Sequence, residues 1–377
     1  MAKIFDSVIA NIDSGKMGLN QGLNTGLERL KDYMPNVQRG NMYLIGGETG
    51  SGKSALAVDS FLYSPYDDWL LNYRTRINFH AFVWSMEMDK DIVLTKAICR
   101  RIFMITEGKV LVDINYVLSR GKNRVSQEIY NLVLNTRQYF EDFEDKVTIL
   151  NNENPTGIRN TIHDYMLANG KDTYKQFIIK DRVTGEEIKR EVYDRYVPHN
   201  DIEKMYTICI FDHVGLTKGE RNFTKKQTID KLTEYMIDYR DRYQITPVFV
   251  QQLNRSLSSA ERFKQDRVLP QISDFKESSD TTDASNFVLS LFSPNRYEMK
   301  KFRDYTIDWE EGGLGDRFKY LSLLKCRDGN ADIGIGLAFI GEIGKFQELK
   351  KAKLMLKENY DYFRSFTKVI NTNTSIN

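Results

Sequence analysis

The chain is 377 residues long, and its 54 Lys and Arg face 52 Asp and Glu, a formal net charge of +2. That balance excludes a polycationic nucleic-acid arm and an acidic disordered tail, so any nucleic-acid contact must come from locally gathered cations. With 41% hydrophobic and 12% aromatic residues a packed core is expected. The length exceeds the roughly 250–300 residues at which single cores stop growing, which predicts one large domain with insertions or a domain with a small appendage. Cys99, Cys209 and Cys326 are far apart and form no C-x-x-C pair, which reads as incidental thiols in a reducing compartment. No run approaches 18 apolar residues, and the N-terminus lacks the apolar run and small-residue cleavage site of a signal peptide. The expectation is a cytoplasmic protein with no membrane partner.

Along the chain, Ile4, Phe5, Val8, Ile9 and Ile12 form a stripe at helical spacing and predict a short amphipathic helix over 2–14. A Gly-rich stretch from Gly18 to Gly26 follows. From residue 41 the pattern alternates. Strands are predicted at 41–46, 80–84, 147–150, 207–211, 247–250 and 287–292. Helices are predicted at 54–62, 91–103, 158–167 and 225–243, and a closing strand pair at 321–324 and 336–340 with a turn over 328–330. Strands alternating with helices argue for an α/β domain built on a mostly parallel central sheet flanked by helices. Two stretches break the rhythm. Residues 177–197 read as an inserted β-hairpin turning at Thr184 and Gly185, within an insertion near 171–204. Residues 295–317, polar and charged with Gly312 and Gly313 inside, read as a second insertion. The expected organisation is an N-terminal helix in 1–21, a main α/β domain over 22–346, and a charged helix with a frayed polar tail over 347–377.

The strongest local signal is the string Gly47, Glu48, Thr49, Gly50, Ser51, Gly52, Lys53, Ser54. It fits G-x-x-x-x-G-K-[ST], a pattern that arises by chance in about one percent of chains this long. Glycines let the backbone curl so that its N–H groups surround phosphates. Lys53 is placed to reach the β and γ phosphates of ATP, and the Ser54 hydroxyl to bind Mg²⁺. A strand before it and a helix after it supply the context the motif needs, with the positive end of the helix aimed at the anion.

Three further strand ends carry polar groups. Asp212 closes the apolar strand Thr207–Phe211, where a nucleotide enzyme holds Mg²⁺. Glu87 follows the strand at 80–84, where a carboxylate could polarise a water that attacks the γ-phosphate. Gln252 and Arg255 follow the strand at 247–250, and an amide there can bond a γ-phosphate and move on hydrolysis. Taken singly, the last two are weak, since solvated strand ends carry such residues for solubility alone.

Together these pieces resemble the RecA-like motor domain of DnaB-type hexameric replicative helicases, phage relatives included, over about residues 22–346. Asn24 to Leu27 followed by Asn41 to Ile45 looks like that family's approach to the phosphate loop. Ser85-Met86-Glu87-Met88 resembles its S-L-E-M segment, which implies a catalytic base at Glu87. Phe211-Asp212-His213 resembles the metal-holding strand end, and Gln252-Leu253-Asn254-Arg255 matches Q-L-N-R, which implies a γ-phosphate sensor at Gln252. Ser273 to Ser278 resembles the S-D-L-R-E-S loop that faces the channel, which implies DNA contacts from Lys276, Glu277 and Ser278; Arg255 is a further basic candidate for the channel. Lys325-Cys326-Arg327-Asp328-Gly329 resembles K-x-R-N-G, implying that Lys325 and Arg327 reach into a neighbouring subunit's ATP. Leu337 to Glu342 resembles the closing strand. The phosphate-loop string also occurs in DEAH-box RNA helicases, but those need Asp-Glu-Ala-His where this chain has Phe211-Asp212-His213-Val214.

The departures are specific. Lys276 stands for the usual Arg, Ser279 for Gly and Asp328 for Asn. A Lys pairs with phosphate as a point charge but lacks the bidentate fork of Arg. The hairpin at 177–197 is outside the common core. The family's primase-engaging N-terminal domain is expected to be absent, leaving the helix at 2–14 in the position of the linker helix that docks on an adjacent subunit. The resemblance implies a homohexameric ring around single-stranded DNA at a replication fork, using ATP and Mg²⁺, with a separate primase or loader. Two other readings stay open: a RecA-like remodelling ATPase that works as a filament, and an assembly module in which ATP only gates ring formation.

Overall fold

The computed structural model describes residues 2–18, 20–86, 88–180, 187–199, 204–254, 262, 268–275, 279–327, 329–331 and 333–366. Its strands in chain order are β1 Tyr43–Gly47, β2 Ile77–Ser85, β3 Val147–Leu150, β4 Gly170–Lys180, β5 Glu187–Pro198, β6 Lys204–Asp212, β7 Thr246–Gln252, β8 Phe287–Phe292, β9 Lys301–Phe302, β10 Tyr305–Thr306, β11 Phe318–Cys326, β12 Ile333–Ile340 and β13 Lys345–Glu348. Among the described residues, nine of them form one sheet in the order β13-β12-β11-β8-β1-β7-β6-β2-β3. The run from β8 to β3 is parallel, while β11, β12 and β13 are each antiparallel to their neighbours. The α/β architecture expected from the alternating pattern is the one observed.

The parallel strands are covered on both faces, which is why they read as continuous apolar runs. Successive residues of β1 alternate between the two covers. Tyr43 and Ile45 pack with Leu56, Phe61 and Tyr66, whereas Met42 and Leu44 pack with Ile162, Met236 and Tyr239. The first cover is the helical stretch that begins with α2, Lys53–Val58, and runs on through Asp59–Tyr63, Ser64–Asp68 and Trp69–Tyr73. It extends well beyond the 54–62 read from the sequence. The second cover is made of the helices Pro155–Asn169 and Lys225–Tyr243. The latter starts at a capping box, with the Thr224 hydroxyl accepting from Gln227 N.

An ion pair locks the first cover to the antiparallel edge. Arg100, on the helix Lys90–Ile105, donates to Asp59 at 2.9 Å with both side chains buried. The other Asp59 oxygen accepts from Phe346 N of β13 at 2.9 Å, and Arg100 also lies 4.8 Å over the Tyr63 ring. Neither charge is left bare, which is the condition for tolerating burial.

Three elements depart from the sequence reading. The hairpin β4–β5 begins at Gly170, earlier than 177, and its turn at 181–186 lies outside the described residues. Its base is fastened: Arg242 donates to Asp172 and stacks on Tyr193, and the Tyr196 hydroxyl donates to Met166 O at 2.7 Å. β13 crosses residue 346, where the motor domain was expected to end, and the helix beyond it, Lys357–Arg364, starts later than the sequence suggested. That helix packs back on the domain, its Tyr360 hydroxyl accepting from Thr306 N. By contrast, α1, Ala2–Lys16, falls on the stretch read as an amphipathic helix, and it leaves Phe5, Val8, Ile9 and Ile12 exposed on its own chain.

Candidate functional site

β1 lies between β7 and β8, and all three are parallel, so their C-terminal ends meet at one edge of the sheet. The loop Gly47–Ser54 leaves β1 there and enters α2. Gly50 and Gly52 adopt φ of +75° and +99°, conformations that L side chains rarely take. A Cβ on Gly47 would sit 2.4 Å from Ser51 Oγ. The glycines are thus demanded by the turn itself. Lys53 is the first residue of α2 and is buried, while Ser54 Oγ donates to Asp212 Oδ1 at 2.8 Å. Asp212 ends β6, level with Ser85 of β2, and Met86 N donates to Asp212 O at 2.9 Å. The next residue, Glu87, lies outside the described residues.

From β7, Gln252 Nε2 donates to Thr49 Oγ1 at 2.6 Å. A cavity of about 420 Å³ opens along the loop, lined among others by Thr49, Lys53, Ser54, Lys96, His213 and Gln252. Burial holds the Lys96 ammonium below its ordinary value. The loop, Asp212 and Gln252, picked out from separate strand ends, are therefore brought together in space. A hydroxyl and a carboxylate 2.8 Å apart are hard oxygen donors of the type that suits Mg²⁺, which takes one or two protein oxygens and completes its shell with phosphate and water. Residues Ser54 and Asp212 fit that ion.

Lys325 and Arg327 sit elsewhere. Gly47 is level with Leu291 of β8, and Leu291 with Leu321 of β11. Down the same strands, Tyr43 is level with Phe287, and Phe287 with Cys326. The pair thus lies at the opposite edge of the sheet, about 13 Å away along the strands at roughly 3.3 Å per residue. Lys325 Nζ donates to Thr282 O and Asp283 O, and Arg327 Nη2 to Asp283 O, at 2.8, 3.0 and 2.9 Å. Those carbonyls close the helix Ser279–Ala284, whose negative end suits cations. Burial, and then the neighbouring guanidinium of Arg327, hold the Lys325 ammonium below its ordinary value. Arg327 is exposed. Arg255, Lys276, Glu277 and Ser278, the expected DNA contacts, lie outside the described residues, as does Asp328.

Sequence reasoning passed over Arg296. It lies in the stretch read as an insertion, yet its guanidinium donates to Thr49 O of the phosphate loop. Its position just after β8 is legible in the chain, but that β8 neighbours β1 is a fact of strand order.

No family model matches the sequence, and no curated protein matches it either. Solved structures do. The ATPase domain of G40P superposes with a TM-score of 0.62 at 15% identity, covering 92% of this chain and 98% of that one. A DnaB-like replicative helicase, described together with its interactions with primase, superposes with a TM-score of 0.59 at 16% identity. That match covers 87% of this chain and 64% of the other, so the chain spans less than two thirds of that helicase. The chain thus shares its fold with the ATPase domain of G40P and with the matching part of the DnaB-like replicative helicase.

Proposed function

We propose that the protein is an ATP-driven replicative DNA helicase that works as a homohexameric ring, translocates on single-stranded DNA and unwinds duplex at a replication fork. One observation carries the reading: the loop Gly47–Ser54, with Asp212 and Gln252, occupies one edge of the sheet, and Lys325 and Arg327 occupy the other, about 13 Å away along the strands. Such a chain completes a phosphoryl-transfer site only with a second copy.

In this reading the loop amides and Lys53 hold the β and γ phosphates, and Gln252 senses the γ-phosphate. Glu87 takes the proton of the attacking water. Ser54 and Asp212 would hold Mg²⁺, which would offset the charge that develops on the transferring phosphoryl group. Arg327 and Lys325 of the next subunit supply the cations that stabilise the transferring phosphoryl group. A site shared between subunits ties hydrolysis to their relative movement. Lys276, Glu277, Ser278 and Arg255, repeated around one channel, contact the DNA backbone, which makes the motor tolerant of sequence. The exposed apolar stripe of α1 is the candidate for a docking contact on an adjacent subunit. The work is placed in the cytoplasm, with a separate primase or loader as partner.

A forked-duplex assay tests the reading. ATP-dependent strand separation, lost in Lys53→Ala, is expected. ATP hydrolysis stimulated by DNA without strand separation would replace the helicase reading with a remodelling ATPase, and slow hydrolysis with nucleotide-dependent assembly would replace it with an assembly module.

A further inference from the structure

The phosphate loop is gripped from both neighbouring strands. On the β7 side, Gln252 bonds the Thr49 hydroxyl. On the β8 side, the turn Pro294–Tyr297 lies directly against the loop. The Arg296 guanidinium donates to the Thr49 carbonyl, and a Cβ on Gly50 would sit only 3.4 Å from Arg296 Nη1. Tyr297, the next residue, lies in the same turn, and burial followed by the influence of the Glu48 carboxylate pushes its hydroxyl well above its ordinary value. Two consecutive loop residues, Thr49 and Gly50, are thus met by Arg296 of this turn.

The turn is itself anchored. Ser293, just before it, accepts from Lys319 Nζ at 2.8 Å, and the same ammonium donates to Asp316 at 2.8 Å. Lys319 is fully buried, and Tyr297 stacks on Phe292 at 5.4 Å between ring centroids. The next residue after Asp316, Arg317, donates to Phe366 O at 2.6 Å. The stretch read as an insertion is therefore a brace between the phosphate loop and the C-terminal segment.

We propose that Arg296 is a positioning residue that holds the outer turn of the phosphate loop in its phosphate-binding shape, acting through the Thr49 carbonyl and not by touching nucleotide. The proposal rests on the reading that this loop binds ATP. A loop whose amides must converge on an anion loses affinity when its backbone is free to wander, because the ordering entropy is then met on binding. The group held is the backbone around the β-phosphate cradle, so the effect does not distinguish ATP from ADP. A direct γ-phosphate contact would.

The test measures ATP and ADP affinity by titration calorimetry, and KM and kcat for ATP, in the wild-type chain and in Arg296→Ala, Arg296→Lys, Tyr297→Phe and Lys53→Ala. Arg296→Ala is expected to weaken ATP and ADP alike by about fivefold, the equivalent of about 1 kcal/mol, with the loss seen in KM more than in kcat. Arg296→Lys should recover most of the affinity, since an ammonium also donates to a carbonyl, and Tyr297→Phe should give a smaller loss in the same direction. Weakening of ATP alone, or no change in either nucleotide, overturns the proposal. The wild type and Lys53→Ala separate the two levels: a wild-type chain that binds no nucleotide, or binds it equally well without Lys53, overturns the function reading itself.

Discussion

At the C-terminal edge of the parallel strands, the phosphate loop is held from several sides, by Asp212 at Ser54, Gln252 at Thr49 and Arg296 at the Thr49 carbonyl. At the opposite edge, Lys325 and Arg327 cap the end of a six-residue helix, and Arg327 stays exposed. At the first edge Ser54, Gln252 and Arg296 each donate to a partner within the chain. The other presents Lys325 and Arg327, which in the proposed function would act on a neighbouring chain's phosphoryl group. The contrast teaches that strand order separates the halves of the proposed site: β11 runs antiparallel to β8, so a motif near its C-terminal end is carried away from the loop.

The largest expected effect breaks the contrast at the open edge. Arg327→Ala should lower ATP turnover by about 10³–10⁵ while nucleotide affinity, measured by calorimetry, changes little. At the closed edge, Lys53→Ala should remove hydrolysis and weaken binding together. The buried pair behind the loop gives the next effect. Arg100→Ala strands Asp59 without its partner and should cost about 3–5 kcal/mol in denaturant unfolding.

A smaller effect tracks pH. His80, on β2, is held down to about 4 by burial and then by the charge of Lys146, so its neutral form is the folded one. The unfolded chain binds the extra proton between pH 6.5 and about 4, so stability is intact above 6.5 and falls as pH drops through that window. The slope is at most about 1.4 kcal/mol per pH unit, and less for the part of the ring that water reaches. Equilibrium unfolding of His80→Phe should lack this component. The smallest effect concerns DNA: Lys276→Ala should reduce the salt slope of single-strand binding by roughly one. An unchanged slope would move the DNA contact elsewhere.

Much of the central layer was legible because burial on both faces leaves a plain signature. The strands at 147–150 and 287–292 and the helix at 225–243 fall where periodicity put them. The position of Asp212 beside the loop was legible because it ends an apolar strand, and Ser54 bonds it at 2.8 Å. What stayed hidden depended on tertiary contact. β13, Lys-Phe-Gln-Glu, buries Phe346 completely but looks like a charged helix in isolation. The helices Gln127–Asn135 and Arg137–Glu144 were not anticipated, since Thr136 separates two short segments and each is held by packing more than by propensity. Lys319 is fully buried in a strand where a lysine reads as solvated, because Ser293 and Asp316 satisfy it only once the fold is made. Arg296 belongs to the same group.

The central claim is that the two edges work only when two chains meet. Mixing Arg327→Ala chains with Glu87→Gln chains tests it most directly, by ATPase activity under conditions where rings form. Each variant alone is inactive, but a junction with the wild-type Glu87 of one chain and the wild-type Arg327 of its neighbour is intact. The account predicts recovery of a fraction of wild-type turnover that rises to a maximum near equal mixing. No recovery at any ratio, from chains shown to assemble together, would contradict it.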